Sequence, residues 1–275
     1  MEVTSQHFKD NVKVALKQLN LRIGLDRTLG LLTSRRRETI AQYPEYAEAR
    51  ATAERIKDHT LRHLDHYLEM FEKNAIQSGA KVYWAGTPKE ATDHIVAICK
   101  AHDAKSATRV KSMLGEEIGI GEALQEAGIE RVETDLAEHI IQLAGEPPSH
   151  IVVPAMHKTR EEVADLFKAR HADPHKSDDV AELVESARRE LRPKYVNADI
   201  GISGANFLIA DTGSIVTVTN EGNAELTTQL PKVHIVNVGI EKLVPSMRHC
   251  SVFLRLLARA ALGTEITQYT TFYNG

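Results

Sequence analysis

The chain has 275 residues, with 34 Lys and Arg against 38 Asp and Glu, which gives a formal net charge of −4. This length suits one large α/β domain or two smaller ones, and the absence of a basic excess argues against binding to nucleic acid. No run approaches the roughly 18 consecutive apolar residues that cross a bilayer. The N-terminal residues 1–16 are polar and lack the apolar core of a signal peptide. We therefore expect a cytoplasmic protein with no membrane span.

The two cysteines, Cys99 and Cys250, lie far apart in the sequence and outside any CxxC motif. A [4Fe–4S] cluster normally takes four thiolates, often from a C-x₂-C-x₂-C run. This chain cannot supply that set alone, so we expect no metal site and no cofactor within it. Both residues are predicted to be reduced, partly buried thiols.

Residues 1–78 are predicted to be helical. Apolar residues recur near helical spacing in the second half of this region, at Ile56, Leu61, Leu64, Leu68 and Phe71. Gly79 is a typical helix end. We interpret residues 1–78 as an N-terminal helical extension that offers a surface to partners, and residues 79–275 as the α/β domain.

Strands and helices alternate from residue 81 onward. Strands are predicted at 82–85 (VYWA), 107–111, 129–134, 150–155 (HIVVPA), 233–239 and 265–272. Helices are predicted after the Thr87-Pro88 start, over 119–127 and 245–262, and as a pair within 158–192, and residues 135–143 are predicted to be a helix or a turn. Such alternation implies crossover connections, and so an α/β fold with a mainly parallel sheet flanked by helices.

A hairpin is predicted between residues 206 and 219. Two runs rich in β-branched and apolar residues, 206–210 and 214–218, are joined by Asp211-Thr212-Gly213. Asp can bond to nearby backbone and Gly tolerates a positive φ, so this tripeptide favours a turn. The second run ends in Asn220-Glu221-Gly222-Asn223, which places a carboxylate and two amides where a strand ends.

Five segments carry a family pattern in the same order along the chain. They are FEKNAIQSGAKVYWAGTPKEA, RVKSMLGEEIGIGEAL, VETDLAEHIIQLAGEPPSHIVVPAMHKTREEVADLF, SGANFLIADTGSIVTVTNEGN and FLRLLARAALGTEITQYT. Together they closely resemble the LUD domain of bacterial lactate-utilization proteins, above all that of the iron–sulfur subunit. The resemblance extends over nearly the whole chain, which makes it far more specific than one short motif.

The resemblance implies a fold similar to the ribose-phosphate isomerase and CoA-transferase class. It also implies the LUD portion of an iron–sulfur subunit in a multi-subunit system that oxidises L-lactate to pyruvate. In that family, ferredoxin-like cysteine motifs in a C-terminal region hold the [4Fe–4S] clusters, and this chain ends before any such region. We therefore expect other subunits of the complex as partners, electron transfer outside this chain, and no lactate oxidation by the chain alone.

Lys111 ends the predicted strand 107–111, where its ammonium group could meet an anionic ligand. We expect Arg109 to face away from it, because side chains alternate along a strand. The alternative is that Lys111 is a solvated surface residue. The family segment RVKSMLGEEIG raises the weight of the ligand-binding interpretation.

His157 and Lys158 follow the predicted strand 150–155 and precede a helix. Thr159 is expected to cap that helix, with Glu162 as its capping-box partner. A helix N-terminus beside a histidine and a lysine is suited to bind an anion. The alternative is structural: Thr159 and Glu162 only start the helix, and His157 bonds to backbone.

Five residues of the hairpin region complete the candidate ligand site. Glu221 could accept a proton or grip a hydroxyl group, and Asn206, Asp211, Thr212 and Asn223 could line the same cleft or supply an anion-binding nest with backbone amides. The alternative for these residues is simple turn formation. We expect all the candidate residues to meet at one edge of a parallel sheet, around a small carboxylate.

Other interpretations stay open. The chain could be a stand-alone transferase or ligase-like enzyme that uses Glu221 and Lys111 on a phosphorylated or CoA-linked small acid, or a scaffold with no ligand site. His59, His63 and His66 share one face of the predicted helix and could hold a metal ion, although a solvated stripe is favoured there.

Overall fold

The computed structural model describes residues 5–146, 148–149, 153–173 and 176–275. Its helices are α1 (Phe8–Ala15), α2 (Leu19–Ala41), α3 (Tyr46–Arg62), α4 (Leu64–Gln77), α5 (Pro88–Ala101), α6 (Met113–Glu117), α7 (Ile120–Glu126), α8 (Leu136–Ala144), α9 (Arg160–Arg170), α10 (Val180–Val196), α11 (Asn223–Gln229) and α12 (Met247–Leu262). Its strands are β1 (Ser106–Arg109), β2 (Glu130–Glu133), β3 (Ile200–Ser203), β4 (Phe207–Ile209), β5 (Ser214–Thr219), β6 (Val233–Val236), β7 (Leu243–Val244) and β8 (Tyr269–Tyr273).

The chain divides into two compact units that alternate along the sequence. The first unit comprises residues 1–28, 86–203 and 223–235, and the second comprises residues 29–85, 204–222 and 236–275. Helices occupy much of residues 5–77, as predicted. The predicted domain boundary at residue 78 stays a prediction.

The first unit contains the parallel sheet that the sequence predicts. Its strand order is β2-β1-β3-β6, and β1 runs parallel to both β2 and β3. The strands are apolar where they meet the core, with Ile200 and Ile202 fully buried beside Leu124 of α7. Helices flank this sheet, which confirms the predicted α/β fold.

The second unit contains a separate mixed sheet, in the order β7-β4-β5-β8. Strands β4 and β5 form the predicted antiparallel hairpin. Its turn depends on Gly213, which has φ +69° and whose N–H bonds to the carbonyl of Ile209 at 2.9 Å. An added Cβ there would come within 2.3 Å of the backbone nitrogen of Ala75, so the turn also packs closely against the end of α4.

Three predicted elements differ in the structure. Residues 82–85 form no strand; in this segment Trp84 Nε1 donates to Glu72 of α4 at 2.8 Å, and Val82 packs on an apolar cluster that includes Phe71. The predicted helix through residues 59–66 is interrupted at His63, between α3 and α4. Of the predicted strand 150–155, residues 150–152 lie outside the described residues, and 153–155 form no strand.

Candidate functional site

The carboxyl ends of β1 and β2 place two opposite charges side by side in the interior of the first unit. Arg109 ends β1 and Glu133 ends β2, and the two are paired in register. They are 2% and 3% exposed, and Arg109 Nη2 lies 2.8 Å from Glu133 Oε1. Arg109 also forms an ion pair with Glu116 of α6. In an open parallel sheet this edge is where ligands usually bind.

Burial and ion pairing shift the pKa of each of these two groups in opposite directions. Burial alone would lower the pKa of Arg109, but the charges of Glu133 and Glu116 outweigh it and raise that pKa. Burial raises the pKa of Glu133, and the charge of Arg109 opposes this rise. Nε and Nη1 of Arg109 are buried and have no hydrogen-bond acceptor among the described residues.

Glu138 adds a carboxyl group that titrates near neutral pH. It lies in the first turn of α8, where Asp135 caps the helix by accepting from the N–H of Ala137 at 3.0 Å and of Glu138 at 3.1 Å. Its burial, followed by the charge of Glu133, raises its pKa to about 7, while Lys111 pulls it down. A carboxyl group with such a pKa can carry a proton to or from a ligand.

Lys111 lies beyond the end of β1, partly buried, and forms no ion pair within the part of the chain that the structure describes. Strand geometry does not support the prediction that Arg109 faces away from Lys111, because side chains two residues apart on a strand lie on the same face. Arg109 binds Glu133, and both Glu133 and Lys111 influence Glu138. These four residues form the acid–base cluster of the first unit.

A hydrogen bond between two uncharged side chains links the neighbouring strands β3 and β6 of the same sheet. Ser203 ends β3, and its Oγ is 2.7 Å from Nε2 of His234 on β6. Burial lowers the pKa of His234 to about 4, so the imidazole stays neutral at physiological pH. On the other side of β1, Thr134 Oγ1 donates to the carbonyl of Arg109 at 2.8 Å and so fixes the backbone beneath the cluster.

His157 and Lys158 share one carboxylate. His157 Nε2 lies 2.9 Å from Glu146, and Lys158 Nζ donates to the same residue at 2.6 Å. These two contacts lower the pKa of Glu146. The predicted capping box of α9, formed by Thr159 and Glu162, is present. At the start of this helix, the side chains of His157 and Lys158 are therefore already hydrogen-bonded to a carboxylate of the protein itself.

The hairpin candidates of the second unit bond mainly to their own hairpin. Asn206 Oδ1 accepts from the N–H of Val218 at 2.8 Å. Thr212 Oγ1 is 2.6 Å from Ser214 Oγ, and the exposed Asp211 donates its N–H to the carbonyl of Pro245 at 3.1 Å. These contacts agree with the turn-forming alternative.

Glu221 and Asn223 fall on opposite sides of the division between the units. Glu221 is exposed in the second unit, two residues after the end of β5, and its carbonyl accepts from Thr219 Oγ1 at 3.3 Å. Asn223 begins α11 in the first unit, and its buried Oδ1 has no hydrogen-bond donor among the described residues.

The candidate residues are thus divided between the two units. Lys111, His157, Lys158 and Asn223 belong to the first unit, and Asn206, Asp211, Thr212 and Glu221 belong to the second. Their predicted meeting at one edge stays a prediction. The sequence interpretation missed Glu133 and Glu138, although a charged residue directly at the end of a strand, as in the segment RVETD, was a usable signal.

The cysteines do not fit an iron–sulfur cluster. Cys99 and Cys250 are both fully buried, and burial raises the pKa of each to about 11, which disfavours the thiolate that iron requires. They also belong to different units. His59 Nε2 contacts Tyr67 at 3.0 Å, and no group of three or more metal-binding side chains occurs among the described residues.

The fold and the acid–base cluster define an α/β protein with a polar edge on a parallel sheet. The chain belongs to the LUD domain family, whose model matches residues 68–275. It is 41% identical over 276 residues to lactate utilization protein B of Lysinibacillus sphaericus, and 42% identical over 276 residues to that of Bacillus licheniformis. Each match covers 100% of this chain and 58% of the relative.

A third relative extends the same pattern. Lactate utilization protein B of Bacillus cereus strain B4264 is 38% identical over 271 residues, which is 98% of this chain and 57% of that protein. The chain therefore spans somewhat more than half the length of the curated relatives it matches. No solved structure matches it. Within the described part of the chain, no helix has both the length and the apolar character needed to span a membrane.

Proposed function

We propose that this chain is the LUD-domain portion of an iron–sulfur subunit in a multi-subunit, cytoplasmic system that oxidises L-lactate to pyruvate. Its role there is to bind a small carboxylate and to contact other subunits, while electrons pass through [4Fe–4S] clusters held outside this chain. One observation carries the proposal: the identity of 41% to 42% with proteins named lactate utilization protein B extends over the entire chain.

Cysteine chemistry supports the location of the clusters. The chain has two cysteines, whereas a [4Fe–4S] cluster normally takes four thiolates. Both thiols are buried and have raised pKa values. When bound elsewhere in such a system, the clusters supply one-electron transfer. The residues of this chain would contribute binding and proton handling.

The acid–base cluster is the part of the chain best suited to a small carboxylate. Lys111, which forms no ion pair with a described residue, offers a charged donor, and such donors bind carboxylate oxygens well. Glu138, with its pKa of about 7, could hold a proton beside the ligand. Of the other candidates, His157 and Lys158 would first have to break their contacts with Glu146. A ligand-binding role for the hairpin residues and Asn223 is also part of this proposal.

The proposal is tested in the organism from which the sequence comes. Deletion of the gene should abolish or strongly slow growth on L-lactate as carbon source and leave growth on pyruvate unchanged, since pyruvate is the product of the proposed oxidation. A copy of the complete gene should restore growth on L-lactate. Unchanged growth of the deletion strain on L-lactate would refute the proposal.

A second measurement tests the clusters. The complete gene product, reconstituted anaerobically with iron and sulfide, should acquire the visible absorbance of [4Fe–4S] clusters. The C99S/C250S variant should acquire the same absorbance, because these buried thiols are not expected to be ligands. Loss of the absorbance in that variant would contradict our placement of the clusters.

A further inference from the structure

A cavity of about 500 Å³ lies in the second unit, between α3 and the start of α12. Its volume is within the range of small-molecule sites, about 300–1,000 Å³. Its apolar lining comes from Ile56 of α3, Val252 of α12 and the buried Pro245 that precedes α12. An apolar surface of this kind suits the body of a small organic ligand.

The polar lining of the cavity is basic. Two guanidinium groups, of Arg55 and Arg248, and two imidazoles, of His59 and His249, face it together with Thr52. Among the described residues that line it, none is acidic. This matters because the chain as a whole is acidic, with a formal net charge of −4. Positive charge without a counter-charge attracts anions into a concave site.

The two guanidinium groups keep donors available. Arg55 Nη2 donates to Thr52 Oγ1 at 2.8 Å, which orients the side chain along the cavity wall. Neither Arg55 nor Arg248 forms an ion pair with a described residue. One guanidinium group can donate two parallel hydrogen bonds to the oxygens of a carboxylate or phosphate. Two guanidinium groups in one cavity therefore favour a ligand that carries a carboxylate or a phosphate.

The surroundings support this charge preference. Ser246 caps α12, with its Oγ 2.7 Å from Nδ1 of His249, so the imidazole is held at the positive end of the helix. A second cavity of about 400 Å³ shares Thr52 and Val252 with the first, and its charged lining residues are Glu45, Glu48 and Arg255. Its two carboxylates outnumber its one guanidinium group, so an anion is favoured at the end with Arg55 and Arg248.

We propose that the cavity between α3 and α12 binds a small organic anion, whose carboxylate or phosphate group is held by Arg55 and Arg248 and whose apolar part contacts Ile56 and Val252. This site lies wholly within the second unit. It is independent of the function proposed above, since neither the lactate assignment nor the acid–base cluster enters the argument.

Isothermal titration calorimetry at low ionic strength tests the site with two matched probes, phenyl phosphate and benzoate, on the purified chain. They share an aromatic ring and differ in the anionic group, so their relative affinity identifies the preferred group. Benzyl alcohol, which is neutral, should not bind. Absence of binding by both anions up to about 10 mM would refute the proposal, because a site with two guanidinium contacts should bind more tightly than that.

The R55A/R248A variant should weaken the better probe at least about tenfold, because it removes both charge-assisted contacts. The R50A variant is the matched control: it removes an exposed arginine of the same helix that does not line the cavity, and it should bind as the wild type does. Both variants should keep the wild-type melting temperature, since all three arginines are exposed. Equal affinity of the double variant and the wild type would overturn the assignment.

Discussion

The two units treat positive charge in opposite ways. In the first unit Arg109 is 2% exposed and is held by two carboxylates, those of Glu133 and Glu116. In the second unit Arg55 and Arg248 are exposed on a cavity wall, and no described carboxylate pairs with them. One arginine is therefore compensated by the fold, whereas the other two are left to solvent or to a ligand.

Solvation explains this difference. A guanidinium group taken out of water loses several kcal/mol of hydration, so it is tolerated only beside a counter-charge. At a surface, water screens the charge and the group can remain unpaired. A basic residue at a strand end is thus a weak indication of an anion site when it is buried. An unpaired one in a concave surface is a stronger indication.

The largest expected effect is on the compensated arginine. The R109M variant leaves Glu133 buried without its main counter-charge, and breaking a buried ion pair from one side costs about 3–5 kcal/mol. We expect the free energy of unfolding in urea at pH 7 to fall by about that amount. A loss below about 1 kcal/mol would mean that Arg109 is not the counter-charge that Glu133 needs.

The double variant R109M/E133Q separates charge from packing. It removes both members of the pair, so it should recover part of the stability that R109M loses, because the buried carboxylate at the end of β2 is no longer present. The corresponding variants of the second unit are R55M and R55M/E54Q, of which the second also removes an exposed carboxylate. They should show no such coupling. That contrast is the direct measure of how the two units differ.

A smaller effect is expected from Glu138, the titrating carboxyl of the acid–base cluster. Its pKa is about 7 in the folded state and 4.5 when unperturbed. The folded state therefore holds the proton more tightly than the unfolded state, and stability falls as pH rises from about 4.5 to 7. The E138Q variant removes this penalty, so relative to wild type it should gain about 1–3 kcal/mol between pH 4.5 and pH 8.

Urea unfolding of both proteins at pH 5 and pH 8 measures this gain, with E117Q as an exposed control on α6 that should show none. The K111M variant gives an independent check. Since Lys111 pulls the pKa of Glu138 down, its removal should raise that pKa further, which carboxyl NMR can follow. A gain that is equal at both pH values would contradict the assignment.

Local chemistry was readable from the sequence. The Asp211-Thr212-Gly213 turn, the Thr87 cap and the capping box of Thr159 with Glu162 each depend on residues a few positions apart, and all are present in the structure. The parallel sheet followed from the alternation of helices and strands. These features need no knowledge of how distant segments pack.

The charged clusters were harder to predict from the sequence. Arg109 meets Glu133 only because β1 and β2 pair in one particular register. The cavity depends on α3 meeting the start of α12, segments nearly two hundred positions apart in the printed sequence. One of its two histidines, His59, was noticed as part of a stripe with His63 and His66. The helix is interrupted at His63, and the rings of His59 and His63 still lie 4.8 Å apart.

The smallest expected effect concerns a lysine and a histidine whose exposure is intermediate between that of Arg109 and that of the cavity arginines. His157 and Lys158 are 18% and 15% exposed and share Glu146, whose side chain is 40% exposed. Because surface ion pairs are worth about 0–1 kcal/mol, the E146Q variant should lower the free energy of unfolding by less than about 1 kcal/mol. Yet it removes the carboxylate that pairs with Lys158, so in the R55A/R248A background phenyl phosphate should bind near α9 when E146Q is added and not without it. If both bind equally, Glu146 does not decide the charge of this surface, and the distinction between compensated and available cations would have to rest on the buried arginine alone.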